Sequence, residues 1–508
     1  MKKILINREA WQTRVAVLSN DKLQDIYYDT NSKEDLERCY FKGKVSKVLP
    51  GIQTAFVDIG QSKAGFLHIT EIDRALATEK VIENLQDGDE SKDEFSMKEI
   101  KSSIDISKIF TEGSDVLVQV IKEPISEKGA KLTTCFTIPG KFVVLMPNIP
   151  QIGVSKKIET REERARLKEI LTLYLPKGMG AIVRTTAENR SAADLQKDVA
   201  FLVSTWKSIL KKYAKAASCE KIFTDLPLPI RVMRDHLDED VEMVVIDNKE
   251  EQESVYKFVK NLTPEFVNKI RFYQGPPTLF DRFDVDQQIE KALQKKVQLK
   301  SGGSLIIETT EAMTVIDVNT GKFTGHSNLE ETILKTNLEA ADEVVTQLRL
   351  RNIGGLIVID FIDMNSGSNR QKLSKFLEKT LKERDKFQSV ALKISEFGIV
   401  QMTRKRSGKM LTQQLTNVCT SCNGCGFVKS LSSNAFGSLK KCKEDSVRLS
   451  LKGAVVLTTS LRVFDYLIQQ EFHSILQLEK ELGCKIILES NEVYDDTQCS
   501  VVASTINE

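Results

Sequence analysis

The hydrophobic pattern opens with short apolar runs. Residues 4–6, 15–18 and 23–28 predict strands, with Ser19-Asn20-Asp21-Lys22 as the turn between the last two. From Tyr40 the texture is a series of strands punctuated by glycine. Segments 40–48, 54–59 and 66–69 are separated by Leu49-Pro50-Gly51 and by 60–65, and 116–121 and 131–136 follow as closing strands. Strands at this spacing over about 90 residues predict a small five-stranded barrel of the OB type. The charged stretch 77–112, with Gln86-Asp87-Gly88-Asp89-Glu90, reads as a long loop inserted between barrel strands.

Residues 139–229 mix periods. Residues 160–173 are helical by spacing, and Ala181-Ile182-Val183-Arg184-Thr185 ends a strand on polar groups. Pro227, Pro229 and Gln274-Gly275-Pro276-Pro277 mark boundaries, because proline continues neither a ladder nor a helix. An α/β pattern follows from 284. Ile289, Ala292, Leu293 and Val297 are spaced as one helix face, Ser301-Gly302-Gly303-Ser304 turns the chain, and strands are expected at 305–307 and 314–318. A long helix should start near Ser327, with Glu330 placed for a capping box, and end at Gly354-Gly355. Leu356-Ile357-Val358-Ile359 is continuous enough to predict a strand buried on both faces. Leu373, Phe376, Leu377 and Leu381 mark another helix, and 390–394 one more strand. The last 80 residues carry helix and strand patterns without a chemical motif, and no internal repeat is visible.

Composition narrows the class. At about 150 residues per domain, 508 residues suggest roughly three or four domains. With 41% apolar and 28% charged residues, disordered, collagen-like and coiled-coil classes lose support. The 73 basic and 71 acidic residues leave a formal charge of +2, so any nucleic-acid binding must come from local patches. Neither a membrane anchor nor a secretory signal is read: Met1-Lys2-Lys3 is followed by only three apolar residues before Asn7-Arg8-Glu9. Six of the nine cysteines, Cys39, Cys135, Cys219, Cys442, Cys484 and Cys499, stand singly, which suits a reducing, cytoplasmic setting.

Two constellations could carry chemistry. Asp317 and Asp360 each end an apolar strand, where α/β sheets form their sites, and two carboxylates brought together there repel unless a hard cation such as magnesium joins them. Asn319 would point to the same face as Asp317. Ordinary strand-end aspartates bonding nearby amides fit the same spacing, and Asp363 is an alternative partner. Cys419-Thr-Ser-Cys422 has the spacing of half a thiolate zinc site, with Gly424 and Gly426 for the tight turn. The missing ligands could come from the same pair on a two-fold related copy. Cys425 reads as a third ligand or, preferably, a buried thiol. The basic runs Arg404-Lys405-Arg406 with Lys409, and Lys156-Lys157, suit either solvated faces or phosphate contacts. Phe56 and Phe66 on successive barrel strands suit either base stacking or the core.

At Phe41-Lys42-Gly43-Lys44-Val45, Ala55-Phe56-Val57-Asp58-Ile59-Gly60, Gly65-Phe66-Leu67, residues 312–323 and Asn337-Leu338-Glu339-Ala340-Ala341, the chain resembles the catalytic region of the ribonuclease E/G family. The run Gly354-Gly355-Leu356-Ile357-Val358-Ile359-Asp360-Phe361-Ile362-Asp363-Met364 makes the match specific, and the resemblance covers nearly the whole chain. It implies a magnesium-dependent endoribonuclease cutting single-stranded, A/U-rich RNA to 5′-monophosphate and 3′-hydroxyl ends in ribosomal, transfer and messenger RNA processing. Asp317 and Asp360 would hold magnesium with Asn319 assisting, and water would be the nucleophile, so that no serine, cysteine or histidine nucleophile is needed. Phe56, Phe66 and Lys128 would grip RNA. Arg184, Thr185 and Val144 would form a pocket for the substrate's 5′-phosphate, where Gln388 stands in place of an arginine used by some relatives. Cys419 and Cys422 would share zinc between protomers of a homodimer or homotetramer.

The implied fold is an α/β and β multidomain chain. An OB-fold barrel (38–134) is inserted in a ribonuclease-H-like subdomain (1–37 and 230–292). A 5′-phosphate sensor domain (135–229), a DNase-I-like catalytic domain (293–414), a zinc-link (415–429) and a small C-terminal α/β domain (430–508) follow. The chain ends at Glu508 without the Pro-, Arg- and acid-rich tail by which some members of the family scaffold other degradation enzymes, so a compact member is expected. A non-catalytic RNA-binding scaffold is the competing expectation.

Overall fold

The computed structural model describes residues 1–30, 35–73, 105–124, 129–320, 329–405, 408–449 and 453–503. The chain divides into two units, Met1–Gln414 and Leu415–Glu508.

The first unit begins with a five-stranded sheet in the order Ile270–Phe272, Val241–Ile246, Lys2–Arg8, Gln12–Ser19, Lys22–Thr30. Segments more than 200 residues apart thus share one sheet, since Lys2–Arg8 pairs in parallel with Val241–Ile246 and antiparallel with Gln12–Ser19. Asn20 and Asp21, both at positive φ, make the tight hairpin turn the sequence predicts. Period-two alternation gives the sheet two apolar faces. Ile4, Ile6, Val15 and Val17 pack with Met233, Val255 and Val259, whereas Leu5, Ala16 and Leu18 pack with Phe280, Val285 and Ile289.

The barrel strands are Tyr40–Leu49, Thr54–Asp58, Gly65–His68, Lys131–Thr133 and Asp115–Lys122, and pairing of the first with the last closes the ring. Ala55, Val57, Leu67, Val118, Val120 and Leu132 fill it. The expected insertion is partly structured: helix Ile106–Ile109 buries its two isoleucines in the barrel core. Residues 77–104 of that insertion lie outside the described residues.

The following sheet has the order Ile152–Val154, Gly180–Val183, Val143–Met146, Ile138–Pro139, packed with helices Arg161–Tyr174 and Ala192–Tyr213. The buried Asp198 carboxylate accepts the backbone N–H groups of Lys141, Phe142 and Val143 at 3.2, 2.8 and 3.0 Å. A buried acid here fixes the start of the Val143–Met146 strand.

The six-stranded α/β sheet runs Lys296–Gln298, Ser304–Thr309, Met313–Asn319, Gly355–Asp360, Ile399–Arg404, Ser389–Ala391. Ile316, Val318, Ile357, Ile359, Val400 and Met402 form one core with helices Leu329–Leu350 and Gly367–Arg384. Two expectations need correction. The 356–359 strand is not buried on both faces: Leu356 is 41% exposed, because the covering helices supply the apolar core for one side of the sheet only. Val297 does not continue the Ile289 helix. That helix ends at Leu293 and Val297 lies in the strand Lys296–Gln298, pairing with Leu305. The proposed capping box at Ser327 lies outside the described residues, and Glu330 accepts Asn365 N at 2.8 Å and Asn369 Nδ2 at 3.2 Å.

The second unit is a three-stranded sheet, Lys485–Ser490, Ala454–Thr459, Cys499–Ala503, with helices Leu431–Arg448, Leu461–Gln470 and Phe472–Leu482. Val455, Leu457, Leu439, Leu467 and Ile475 make its core. Among the described residues no helix is long and apolar enough to cross a membrane.

Candidate active site and nucleic-acid interface

Because Met313–Asn319 and Gly355–Asp360 run in parallel, their carboxyl ends fall at one end of the sheet, and Asp317 and Asp360 are register partners. Alternation places both on the face that the helices leave open, beside the buried Ile316, Val318 and Ile359. Asn319 shares that face and donates from Nδ2 to Asp317 Oδ2 at 2.8 Å. Burial and the carboxylates of Asp317 and Asp363 push the Asp360 carboxyl above its usual range. Two acids placed side by side with an amide aligning one of them form an oxygen-donor site. The repulsion within it is what a hard divalent cation relieves. Among the described residues no group of three or more Asp, Glu, His or Cys side chains is placed to hold a metal ion.

The turn after Asp360 is held from several sides by groups that the spacing argument did not assign. The buried Asn337 donates from Nδ2 to Ile362 O at 2.8 Å and accepts Ile362 N at 3.1 Å. Arg370 Nη1 donates to Met364 O at 2.7 Å. Gly398, at φ +72°, accepts Phe361 N at 3.3 Å, and a Cβ there would lie 2.5 Å from Phe361 O. Glu339 accepts the N–H groups of Lys300 and Ser301, at 2.6 and 3.1 Å, and so fixes the turn before the strand that pairs with Met313–Asn319. The motif Asn337-Leu338-Glu339-Ala340-Ala341 therefore supplies two clamps and, through Ala340 and Ala341, close helix-to-sheet packing.

On the barrel, Phe56 and Phe66 face one another across adjacent strands and are half-buried on its outer surface, while Ala55, Val57 and Leu67 point inward. The strand registers extend this row to Lys47 beside Phe56 and Lys131 beside Phe66. Aromatic rings flanked by lysines match what an unpaired nucleic-acid strand requires. Lys131 also pairs with Glu71. Period-two alternation was the available signal for Lys131, whereas Lys47 faces outward only because the register shifts between Val45 and Lys47. Lys128 lies outside the described residues.

Arg184 follows the strand Gly180–Val183, and Val144 lies in the neighbouring strand, opposite Ile182. Thr185 is exposed at the start of the next turn. The Arg184 guanidinium is engaged, donating to Gly140 O at 2.6 Å and pairing with Asp235 at 2.7 Å. Burial would raise the Asp235 carboxyl, but Arg234 and Arg184 hold it well below the ordinary carboxylate range. Gln388 is exposed, with its carbonyl accepting Lys405 N.

The basic runs are corrected in part. Arg404 is 2% exposed and makes a two-pronged pair with Asp385, at 2.8 Å for each contact, while Nη1 donates to Ile353 O at 2.6 Å. It lies on the core side of its strand, so it supports the sheet and does not face a polyanion. Lys157 likewise donates to the Asp385 and Lys386 carbonyls. Arg406 lies outside the described residues.

In the second unit, Asn423, Gly424 and Gly426 at positive φ wind the chain around the cysteines. Backbone N–H groups of Cys422 and Ser421 lower the Cys419 thiol, and Gly426 N donates to Cys422 Sγ at 3.4 Å. The amides directed at Cys419 favour its thiolate, the form that binds metal. Cys425 is exposed, contrary to the expected buried thiol: its backbone N–H bonds Cys422 O, which turns the side chain outward.

Residues 137–407 match the model of the Ribonuclease E/G family, and residues 418–504 match that of the RNase E/G thioredoxin-like domain. The chain is 36% identical over 505 residues to Ribonuclease G of Escherichia coli (strain K12), covering 98% of this chain and 99% of that protein. It is 38% identical over 501 residues to Ribonuclease G of Haemophilus influenzae, again with 98% and 99% covered. Ribonuclease E of the same organism is 34% identical over 504 residues, 99% of this chain and 52% of that relative. Motifs, sheet and matches all agree: the chain belongs to the ribonuclease E/G family.

Proposed function

We propose that this protein is a magnesium-dependent endoribonuclease that cleaves single-stranded, A/U-rich RNA to 5′-monophosphate and 3′-hydroxyl ends, in the processing and decay of ribosomal, transfer and messenger RNA in the cytoplasm. As a family member it is an endoribonuclease, a hydrolase of RNA phosphodiester bonds. The observation that carries the metal reading is the register pairing of Asp317 with Asp360, with Asn319 bonded to Asp317. Asp317 and Asp360 would hold magnesium, and Asn319 would orient Asp317 through its amide. Bound there, the ion supplies Lewis-acid charge at the scissile phosphate and lowers the pKa of water. A scaffold that only bound RNA would have no use for paired acids facing a polyanion.

The sheets support the proposed layout of a barrel inserted in a ribonuclease-H-like subdomain, a 5′-sensor domain and a DNase-I-like catalytic domain. Phe56 and Phe66, with Lys128, would grip RNA on the barrel. Arg184, Thr185 and Val144 would receive a 5′-phosphate, which must compete with Asp235 for the guanidinium. Cys419 and Cys422 would bind zinc together with the same pair of a second copy, giving a homodimer or homotetramer.

The test uses one short single-stranded A/U RNA bearing either a 5′-monophosphate or a 5′-hydroxyl. Wild type should cut only with magnesium, and Asp360→Asn should lose cleavage by at least about a thousandfold while still binding RNA. Cleavage retained by that variant removes the metal assignment. Arg184→Ala should narrow the rate ratio between the two substrates, and an unchanged ratio removes the pocket.

A further inference from the structure

Phe397 is 77% exposed, an apolar ring in a turn otherwise made of Ser395, Glu396 and Gly398. It packs into none of the cores and is held by its backbone. Ser395 N donates to Ile399 O at 3.0 Å, Ile399 N to Ser395 Oγ at 3.1 Å and Gly398 N to Ser395 O at 3.2 Å. The turn is joined to the carboxylate site. Ile399 is the register partner of Asp360, Gly398 O accepts Phe361 N, and Asp363 Oδ1 lies 3.3 Å from where a Gly398 Cβ would be. The chain enters Ile399–Arg404 at the same end of the sheet where Met313–Asn319 and Gly355–Asp360 end. An exposed aromatic ring, carried on a hydrogen-bonded turn, therefore stands at the end of the sheet that holds the acidic pair.

We propose that Phe397 is a substrate-binding residue, a platform on which a base flanking the scissile phosphate stacks; this rests on the reading of Asp317 and Asp360 as the cleavage site. The physical need is specific. A cation held by the paired acids would engage the scissile phosphate alone, so the flanking nucleotides need an attraction of their own, and base stacking on an aromatic face supplies it. Because the turn's backbone is hydrogen-bonded before RNA arrives, only the ring's own rotation has to be ordered on binding. The row Lys47, Phe56, Phe66, Lys131 belongs to a separate sheet and would hold other nucleotides of the strand.

The test combines protein and RNA changes in the full chain. Phe397→Ala should lower kcat/KM on a short A/U-rich single-stranded RNA about tenfold, and Phe397→Trp should restore most of it. In wild type, an abasic nucleotide at one position next to the scissile bond should cost a similar factor, and that cost should vanish in Phe397→Ala. In the Asp360→Asn background, 2-aminopurine at that position should be quenched on binding, and Phe397→Ala should relieve the quenching. If Phe397→Ala cleaves like wild type while Asp360→Asn is inactive, the stacking proposal fails and the site reading stands. If Asp360→Asn cleaves normally, the site reading fails first. A Phe397→Ala protein whose sedimentation shifts, with abasic costs unchanged, would make the ring a protein contact and overturn the proposal.

Discussion

At the scale of residues, side-chain direction decides role. Arg404 and Asp360 belong to paired strands and both are charged, yet Arg404 points into the core to meet Asp385 whereas Asp360 points to the open face. A run of basic residues reads as a phosphate patch only if its members share the solvent side, and a strand alternates sides at every step. Arg404→Met should therefore lower the stability of the first unit by about 3–5 kcal/mol, since it strands the buried Asp385 carboxylate. Chemical denaturation measures this, and the salt dependence of RNA binding should not change. A variant of normal stability with a reduced salt slope would return Arg404 to the RNA surface. The aspartate pair, Asn319 and the aromatic pair were legible one residue at a time from strand ends and alternation. Asn337, Glu339 and Gly398 were not, because their bonds reach carbonyls and amides remote in sequence.

At the scale of elements, turns do the positioning. The turn after Asp360 is clamped by a helix side chain, by Arg370 and by the Gly398 carbonyl, and the cysteine turn is wound by three residues at positive φ. The second turn carries a direct prediction. Cys419→Ser with Cys422→Ser should release zinc, measured by elemental analysis, and should shift the protein to smaller species in sedimentation. A metal-free wild-type oligomer would exclude a zinc clasp. With two thiolates from each protomer completing the proposed site, Cys425→Ser should retain zinc, and loss of zinc in that variant would make Cys425 the third ligand. Elements also show where pattern reading ends. Four consecutive apolar residues at 356–359 fit a strand covered on both faces, but how many helices a sheet receives is not a property of the strand.

At the scale of the whole first unit, residues from distant segments meet in a polar cluster. Asp25 pairs with Arg349 at 2.5 Å and with Lys386 at 3.0 Å, and the Tyr27 hydroxyl and His236 Nε2 are hydrogen-bonded at 3.0 Å. Burial and the neighbouring Lys386 ammonium bring the His236 imidazole down to about 3. Its folded-state pKa lies below the unfolded one, so stability is unaffected above about pH 6.5 and falls as pH drops from there, by at most about 1.4 kcal/mol per unit. Asp25 is held low as well, but its contribution is lost only in more acidic solution, below the ordinary carboxylate range. Unfolding midpoints should therefore drop between pH 6.5 and 5 in wild type and stay level in His236→Gln. Equal slopes in both would place the titration elsewhere. Sequence by itself determined the family, the barrel strands, the paired aspartates and the cysteine turn, because these are written in local period and in motifs of a few residues. The fold alone decides which face of the α/β sheet is open, that Arg404 is internal, that Arg184 is already paired with Asp235, and that the turn carrying Phe397 adjoins the strand of Asp360. Those facts depend on which distant segments pack together, and short-range pattern does not encode that.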